Sequence, residues 1–395
     1  MKFPRFNKLS LMLALLAPLT ITGCGSMADP TSWFGDEDNE LEPAQLQDIE
    51  KELSVKTLWK TDIGSGLNEQ RLKLEPRIDR GRVYVADAEG LLQGLDANNG
   101  NRLWSLETEL PLSGGPGSGD GLVVVGTSDG EVVAYSEDSG QLLWQAQVSS
   151  EVLSVPAVSS GVIVVHTIDG KLFGLNASDG KQRWLYSREV PVLSLRGTGS
   201  PVISGNRVIS GFAGGKLVAL NLDSGELLWE TTVTTPSGRS ELERMVDIDG
   251  DPFVSNGAVF VATYQGEVAV VSEYSGKVIW RRKLSSFSGV QADWRYLYIS
   301  DETGNVWAIN PEDGVAMWKQ SDLANRSLSA PAVINGKVVV GDYEGYLHWM
   351  DHATGSVVAR SRIGSDPIIS APRVAGDVVY VYNSDGTLAA LQPVE

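Results

Sequence analysis

The 395-residue chain holds a single cysteine, Cys24, so no disulfide can form within it. Histidine is nearly as scarce. His166, His348 and His352 have no cysteine or carboxylate spacing around them that gathers metal ligands. No Ser/His/Asp or Cys/His set, phosphate-binding glycine loop or carboxylate pair stands out, which removes the usual signatures of hydrolysis and phosphoryl transfer. Basic residues are few: 32 Lys and Arg face 50 Asp and Glu, a net charge of −18. Such a chain does not track nucleic acid or anionic lipid; it favours basic partners. No helical apolar period stands out beyond residue 55, and the apolar run at residues 9–19 is too short to span a bilayer. The stretch Asp247-Ile248-Asp249-Gly250-Asp251 opens like a calcium loop. However, Gly250 falls at its fourth position, Pro252 at its sixth, and Ala258 stands where the closing glutamate belongs.

Glycine, by contrast, is abundant, with 43 residues, and it is periodic. Residues 123–144, VVVGTSDGEVVAYSEDSGQLLW, read as strand, turn, strand, turn, strand: β-branched and aromatic runs bounded by Asp, Ser and Gly. The first turn glycine recurs as Gly90, Gly130, Gly170, Gly215, Gly266, Gly304, Gly345 and Gly386. Ten residues after each of the first seven comes another glycine; fourteen after comes Trp104, Trp144, Trp184, Trp229, Trp280 and Trp318, with Ala359 in the seventh copy. Fourteen residues before lies a proline in every copy but the sixth, which has Val290. A three-stranded unit cannot bury both faces alone, so its neighbours must be copies of it.

The last copy stops nine residues after Gly386, without a Trp strand. Val55-Lys56-Thr57-Leu58-Trp59 supplies that strand from the other end, closing what would otherwise be an open edge. The fold class is therefore all-β: an eight-bladed β-propeller of four-stranded antiparallel blades, the last closed by an N-terminal strand. The tryptophans are expected to pack between adjacent blades.

The N-terminus is organised differently. Lys2, Arg5 and Lys8 precede the apolar run, which ends in Ile21-Thr22-Gly23-Cys24. This resembles the bacterial lipoprotein signal, and the resemblance implies a signal peptide over residues 1–23 and lipidation of Cys24. Gly25 follows, not the aspartate associated with inner-membrane retention, so the pattern implies an outer-membrane anchor facing the periplasm. Removing the three basic residues takes the net charge from −18 to −21. Residues 24–52 read as a lipidated acidic tether, with a short helix expected over residues 46–53; residues 53–395 form the propeller.

Connections between copies vary. From the Trp position to the next copy's first position the gap is 10 to 13 residues in five cases, but 17 after Trp59, 17 after Trp184 and 23 after Trp229. All three emerge on one face, and the last two are neighbours, which marks a binding surface. The first of that pair carries Val192, Leu193 and Leu195 beside Arg196; the second carries Arg239, Glu241, Glu243, Arg244, Asp247, Asp249 and Asp251. Either the leucines face a partner or they fold inward, and Arg196 pairs with Asp247, with Asp249 or outside the chain. Turns bearing Glu89, Asp129, Asp169, Asp301, Glu302, Asp342, Glu344 and Asp385 share this face and add an acidic field.

The repeat, clearest over residues 215–229 (GKLVALNLDSGELLW), resembles that of the pyrroloquinoline quinone (PQQ) dehydrogenases, eight-bladed propellers holding a quinone and Ca²⁺. That resemblance carries the alternative reading, a PQQ/Ca-dependent periplasmic dehydrogenase. The adjacent cysteines common in those enzymes are missing here, and no calcium-ligand set is found. Taken with the lipoprotein signal, the acidic tether and Val192-Leu193-Ser194-Leu195-Arg196-Gly197-Thr198, the whole chain resembles the propeller-lipoprotein family of the outer-membrane β-barrel assembly machinery. The resemblance implies a non-catalytic scaffold with no cofactor, which binds the periplasmic POTRA domains of BamA. It also implies contact with other assembly subunits, and direct contact with unfolded outer-membrane proteins is a weaker expectation. By the same resemblance, Leu193, Leu195 and Arg196 bind the partner, and Asp247 and Asp249 support the loop or bind as well.

Overall fold

Each repeat folds as four antiparallel strands in chain order, and the third blade shows why. Val162, Ile163, Val164 and Val165 are fully buried along Val162–Thr167 because neighbouring blades cover both faces of the sheet. The outer strand Gln182–Ser187 alternates instead, with Arg183 and Leu185 exposed and Trp184 buried. The computed structural model describes residues 42–67, 72–191, 193–194, 199–240 and 242–394. Among them the strands gather into eight sheets arranged as the expected propeller, and no helix is present. Seven sheets have four strands; the second blade gains a fifth, the two-residue strand Lys73–Leu74, paired parallel to Leu112–Gly119. Closure is as the repeat count requires: Ser54–Asp62 pairs antiparallel with Thr387–Val394 to complete the eighth blade.

The blades are locked by their tryptophans. Indole N–H groups of Trp59, Trp104, Trp144, Trp184, Trp229, Trp280 and Trp318 donate to carbonyls of Ala97, Glu137, Ala177, Leu222, Glu273, Pro311 and His352 at 2.8–3.1 Å. Each acceptor lies in the last turn of the next blade. The turn glycine is required twice over. Gly180 sits at φ +69°, and a Cβ there would stand 2.5 Å from Trp144 Cε3. The same contact recurs at Gly100, Gly140, Gly225, Gly276, Gly314 and Gly355.

Ala359 departs from this rule for a physical reason. The eighth blade takes its outer strand from the N-terminus, so it has no last turn to receive an indole. The incoming chain fills the space: Glu52 and Leu53 amides donate to Val358 O at 3.0 and 3.2 Å, and Leu53 packs with Trp349, Val358 and Ala359. Residues 46–53 are therefore irregular chain leading into the strand at Ser54, not the expected helix. The segment from Ala44 onward is held by propeller groups: Arg326 donates to Ala44 O at 2.9 Å, Arg360 donates to Gln47 O at 3.2 Å, and Leu46 packs on the core between the sixth and seventh blades. Behind this strap, buried Asp342 accepts from Arg326 Nε at 2.8 Å and lies 2.9 Å from His348 Nε2.

Trp184→Ala is expected to cost about 3–5 kcal/mol of unfolding free energy, while Leu185→Ala on the same strand changes it by about 0.5 kcal/mol or less; denaturant titration separates the two. Arg360→Ala is expected to speed tryptic cleavage after Lys51 while leaving the melting temperature of the propeller nearly unchanged, as followed by limited proteolysis and calorimetry.

Candidate functional site

The two long neighbouring connections are pinned to the fourth and fifth blades rather than hanging free. The first begins where the Arg188 amide donates to Gly170 O at 2.9 Å, and Arg188 pairs with Glu230 of the next blade. It ends where the Ser200 amide donates to Asp251 Oδ1 of the second connection at 2.6 Å. The second connection returns to the fourth blade's turn: Ala213 and Asp247 form an antiparallel bridge, and the Gly214 amide donates to Asp247 Oδ1 at 3.0 Å. Tyr264 of the fifth blade donates its amide to Asp247 O at 2.9 Å. Asp247 is thereby buried as a strut between two blades.

Asp249 is held differently. Its backbone carbonyl accepts from Lys73 Nζ at 3.1 Å, but its Oδ2 is sealed from solvent and has no hydrogen-bond partner among the described residues. Burial, reinforced by the negative charge of Asp247 and only partly offset by Lys73, pushes its carboxyl up to about 7. Asp249 lines a cavity of about 30 Å³, the room of a single water, together with His166, Val190, Ser194, Phe212 and Ile248. His166 is buried there with Nδ1 3.3 Å from both Gly199 O and Ser210 Oγ, and burial pushes its imidazole down to about 4. A titratable acid and a titratable base thus face one small void, and both favour their neutral forms.

Of the residues singled out in the sequence, Leu193 lies in the first connection with 38% of its surface exposed. Asp247 and Asp249 lie in the second connection. Leu195, Arg196 and Cys24 fall outside the described residues, as do Val192 and Glu241. The expected acidic field on this face is thinner than the sequence suggests. Asp342 is fully buried, Asp169 is paired with Lys171 at 2.5 Å, and Asp301 accepts the Trp307 indole at 2.7 Å. Several of these residues instead cap their own turns. The Asp301 and Asp342 carboxylates accept the amides of Asn305 and Tyr346, as Thr127 and Thr263 hydroxyls accept those of Glu131 and Glu267. An Asp or Thr three residues before six of the eight turn glycines was the available signal, with Phe212 and Asn383 at the other two.

Sequence reasoning also missed the third long connection's role. It carries Lys73 to within 2.6 Å of Asp251, joining the second blade's side of the mouth to the paired loops. Glu75, just beyond, is ion-paired with Arg373. These pairs border a central cavity of about 670 Å³ lined largely by apolar groups, among them Leu72, Leu153, Tyr264, Phe287, Leu328 and Ile369. A quinone with calcium needs a carboxylate cluster for the ion. Among the described residues no group of three acidic, histidine or cysteine side chains is arranged to hold a metal ion. Asp251 and Glu75 are each engaged by a cation. The residues present do not fit that cofactor pair.

A family model described as outer membrane protein assembly factor BamB matches residues 53–111, 107–320 and 304–394. The outer membrane protein assembly factor BamB of Alkalilimnicola ehrlichii is 51% identical over 395 residues, all of both chains. The crystal structure of BamB from Moraxella catarrhalis superposes with a TM-score of 0.79 at 25% identity, covering 86% of this chain and 100% of that one. A quinohemoprotein alcohol dehydrogenase from Comamonas testosteroni shares the fold alone, at 14% identity and a TM-score of 0.65, covering 86% of this chain and 76% of that one. With a match that runs from end to end and a propeller built on the same plan, the chain belongs to the BamB family of outer membrane protein assembly factors.

Proposed function

We propose that this chain is a non-catalytic scaffold subunit of the outer-membrane protein assembly complex. It is anchored through a lipidated Cys24 at the periplasmic face of the outer membrane, with residues 1–23 removed as signal peptide and the following acidic segment as tether. Its loop face binds the periplasmic POTRA domains of BamA and so assists folding and insertion of β-barrel proteins. One observation carries this reading: the two longest neighbouring connections are cross-braced through Asp247, Asp251 and Ser200, and they present Leu193 to solvent. A braced loop loses little entropy on binding, and an apolar side chain beside charged groups suits a partner surface. In this reading Leu193 and Leu195 are the apolar contacts. Arg196 pairs with Asp247, which would orient the leucines, or it reaches the partner directly. The names of the relatives support the assembly role, and the apolar, ion-paired channel supports a binding module over a dehydrogenase.

A pull-down from detergent-solubilised membranes tests the site, with partners identified by mass spectrometry. Wild type is expected to recover a large outer-membrane barrel protein with a periplasmic domain. Folded Arg196→Glu is expected to lose it, because breaking a buried interfacial charge contact costs about 2–5 kcal/mol, roughly 30- to several-thousand-fold in affinity. Equal recovery by both proteins removes Arg196 from the interface.

Asp249 gives a second expectation. A carboxyl whose folded pKa is raised to about 7 binds more protons folded than unfolded, so its contribution to stability is full below about pH 4 and is lost as pH rises through 7. Asp249→Asn removes that loss. Relative to the variant, wild type is expected to lose stability between about pH 4 and 7, by at most roughly 4 kcal/mol. Parallel melts of the two proteins would read this, and a constant difference across that range sinks the assignment.

A further inference from the structure

The sixth blade breaks the repeat on the face opposite the loops. Elsewhere the turn from first to second strand is a tight pair containing glycine, such as Ser160-Gly161 or Asn335-Gly336, with the glycine at positive φ. In the sixth blade the strands are joined by four residues without glycine, Asp293-Trp294-Arg295-Tyr296. The same copy lacks the proline, having Val290. Nothing in the ring requires this longer turn, since a two-residue turn closes the others.

The turn is nevertheless built to hold one shape. Asp293 Oδ1 accepts the amides of Arg295 and Tyr296 at 2.7 and 2.8 Å; Oδ2 accepts the Tyr298 hydroxyl at 3.0 Å and lies 2.8 Å from His352 Nδ1 of the seventh blade. What this brace presents is Trp294, with 81% of its surface exposed and its ring edge-on to His352 at 6.2 Å. The Arg295 guanidinium lies 5.4 Å from the Trp294 ring centre and 5.5 Å from that of Tyr296. Its side chain makes no hydrogen bond or ion pair among the described residues, in a chain with 50 carboxylates.

Other blades show what a structural arginine does at this edge. Arg82 of the first blade reaches the last turn of the second and pairs with Asp138 at 2.7 Å. In the fifth blade's turn Glu273-Tyr274-Ser275-Gly276, Tyr274 takes the place of Asp138, and Arg207, the counterpart of Arg82, stacks over its ring at 4.8 Å. Tyr274 is 64% exposed. Aromatic groups stacked with arginine thus stand at the fifth and sixth blades of this face, where the first and second blades are joined by an ion pair and the seventh keeps one between Lys337 and Asp351 at 3.4 Å.

We propose that the Trp294–Arg295 turn is a docking knob for a protein partner that presents an apolar socket bordered by a carboxylate. Exposed tryptophan and arginine are the side chains that dominate protein interfaces, and a pre-braced turn gives up little freedom on binding. Charge complementarity selects the carboxylate, since Arg295 is a cation with no ion pair among the described residues. The exposed Asp138, Asp179, Asp223 and Asp313 on the same face disfavour an extended anionic surface such as a lipid headgroup layer, leaving a compact acidic and apolar site as the match.

The test is photocrosslinking in cells carrying the full-length chain, with Trp294→p-benzoylphenylalanine as the probe and Ser139→p-benzoylphenylalanine, on an exposed turn of the same face, as control. The expected result is a discrete product at position 294 whose crosslinked peptide lies beside an Asp or Glu. Its yield falls tenfold or more with Arg295→Glu, checked for folding by circular dichroism. It is restored when that partner carboxylate is exchanged for arginine. The proposal is overturned by no product above the control, by crosslinks only to lipid or to a second copy of this chain, by a product indifferent to Arg295→Glu, or by a charge exchange that restores nothing.

Discussion

One hydrogen bond, repeated around the ring, organises this molecule: an outer-strand indole N–H donating to a carbonyl in the next blade's last turn. The bond fixes the angular relation of neighbouring blades because a planar ring must lie flat against a turn that only glycine leaves open. It also satisfies a buried indole donor and a turn carbonyl that would otherwise be left without partners. Every other feature is hung on this frame. Strands inside each blade are apolar on both faces because the lock holds another blade against each face, while the outermost strand keeps its alternation because only its Trp side is covered.

Closing a ring with strands from both chain ends leaves one seam that cannot obey the rule. The eighth blade has no last turn, so the seventh has no use for an outer tryptophan, and Ala359 with Leu53 and Trp349 fills the seam by packing alone. The N-terminal approach is then a structural element rather than loose chain. Arg326 and Arg360 grip its carbonyls, and a buried Asp342 and His348 stand behind them. The strap follows from a mismatch between the repeat and the ends of the chain.

The functional asymmetry of the ring comes from the places where blades are joined by more chain than closure needs. On one face those places are adjacent, and their braces are long-range: Lys73 to Asp251, Ser200 to Asp251, Gly214 to Asp247. The first two of these contacts link one blade's connection to another's, and the third ties a connection to the turn of the blade it leaves. Loop shape and blade geometry are therefore fixed together, which is how a loop without secondary structure acquires a defined surface.

The sequence by itself determined the blade number, the strand order within a blade, the closing strand Val55-Lys56-Thr57-Leu58-Trp59 and the face on which the long connections lie. All of these follow from local spacing: alternation, turn chemistry and a repeat period are properties of short windows. It also marked Leu193, Asp247 and Asp249 through spacing and resemblance. It did not reveal that Asp342 and Asp301 are inward-facing caps, that residues 46–53 are a strap instead of a helix, or that His348 and His352 each sit beside a carboxylate. Nor did it reveal Glu75 with Arg373 at the channel. Those outcomes depend on which side chains meet across tens or hundreds of residues, and burial and charge pairing are decided only when the ring is closed. The same carboxylate reads as surface charge in the sequence and becomes a strut or a sealed acid once two blades shut around it.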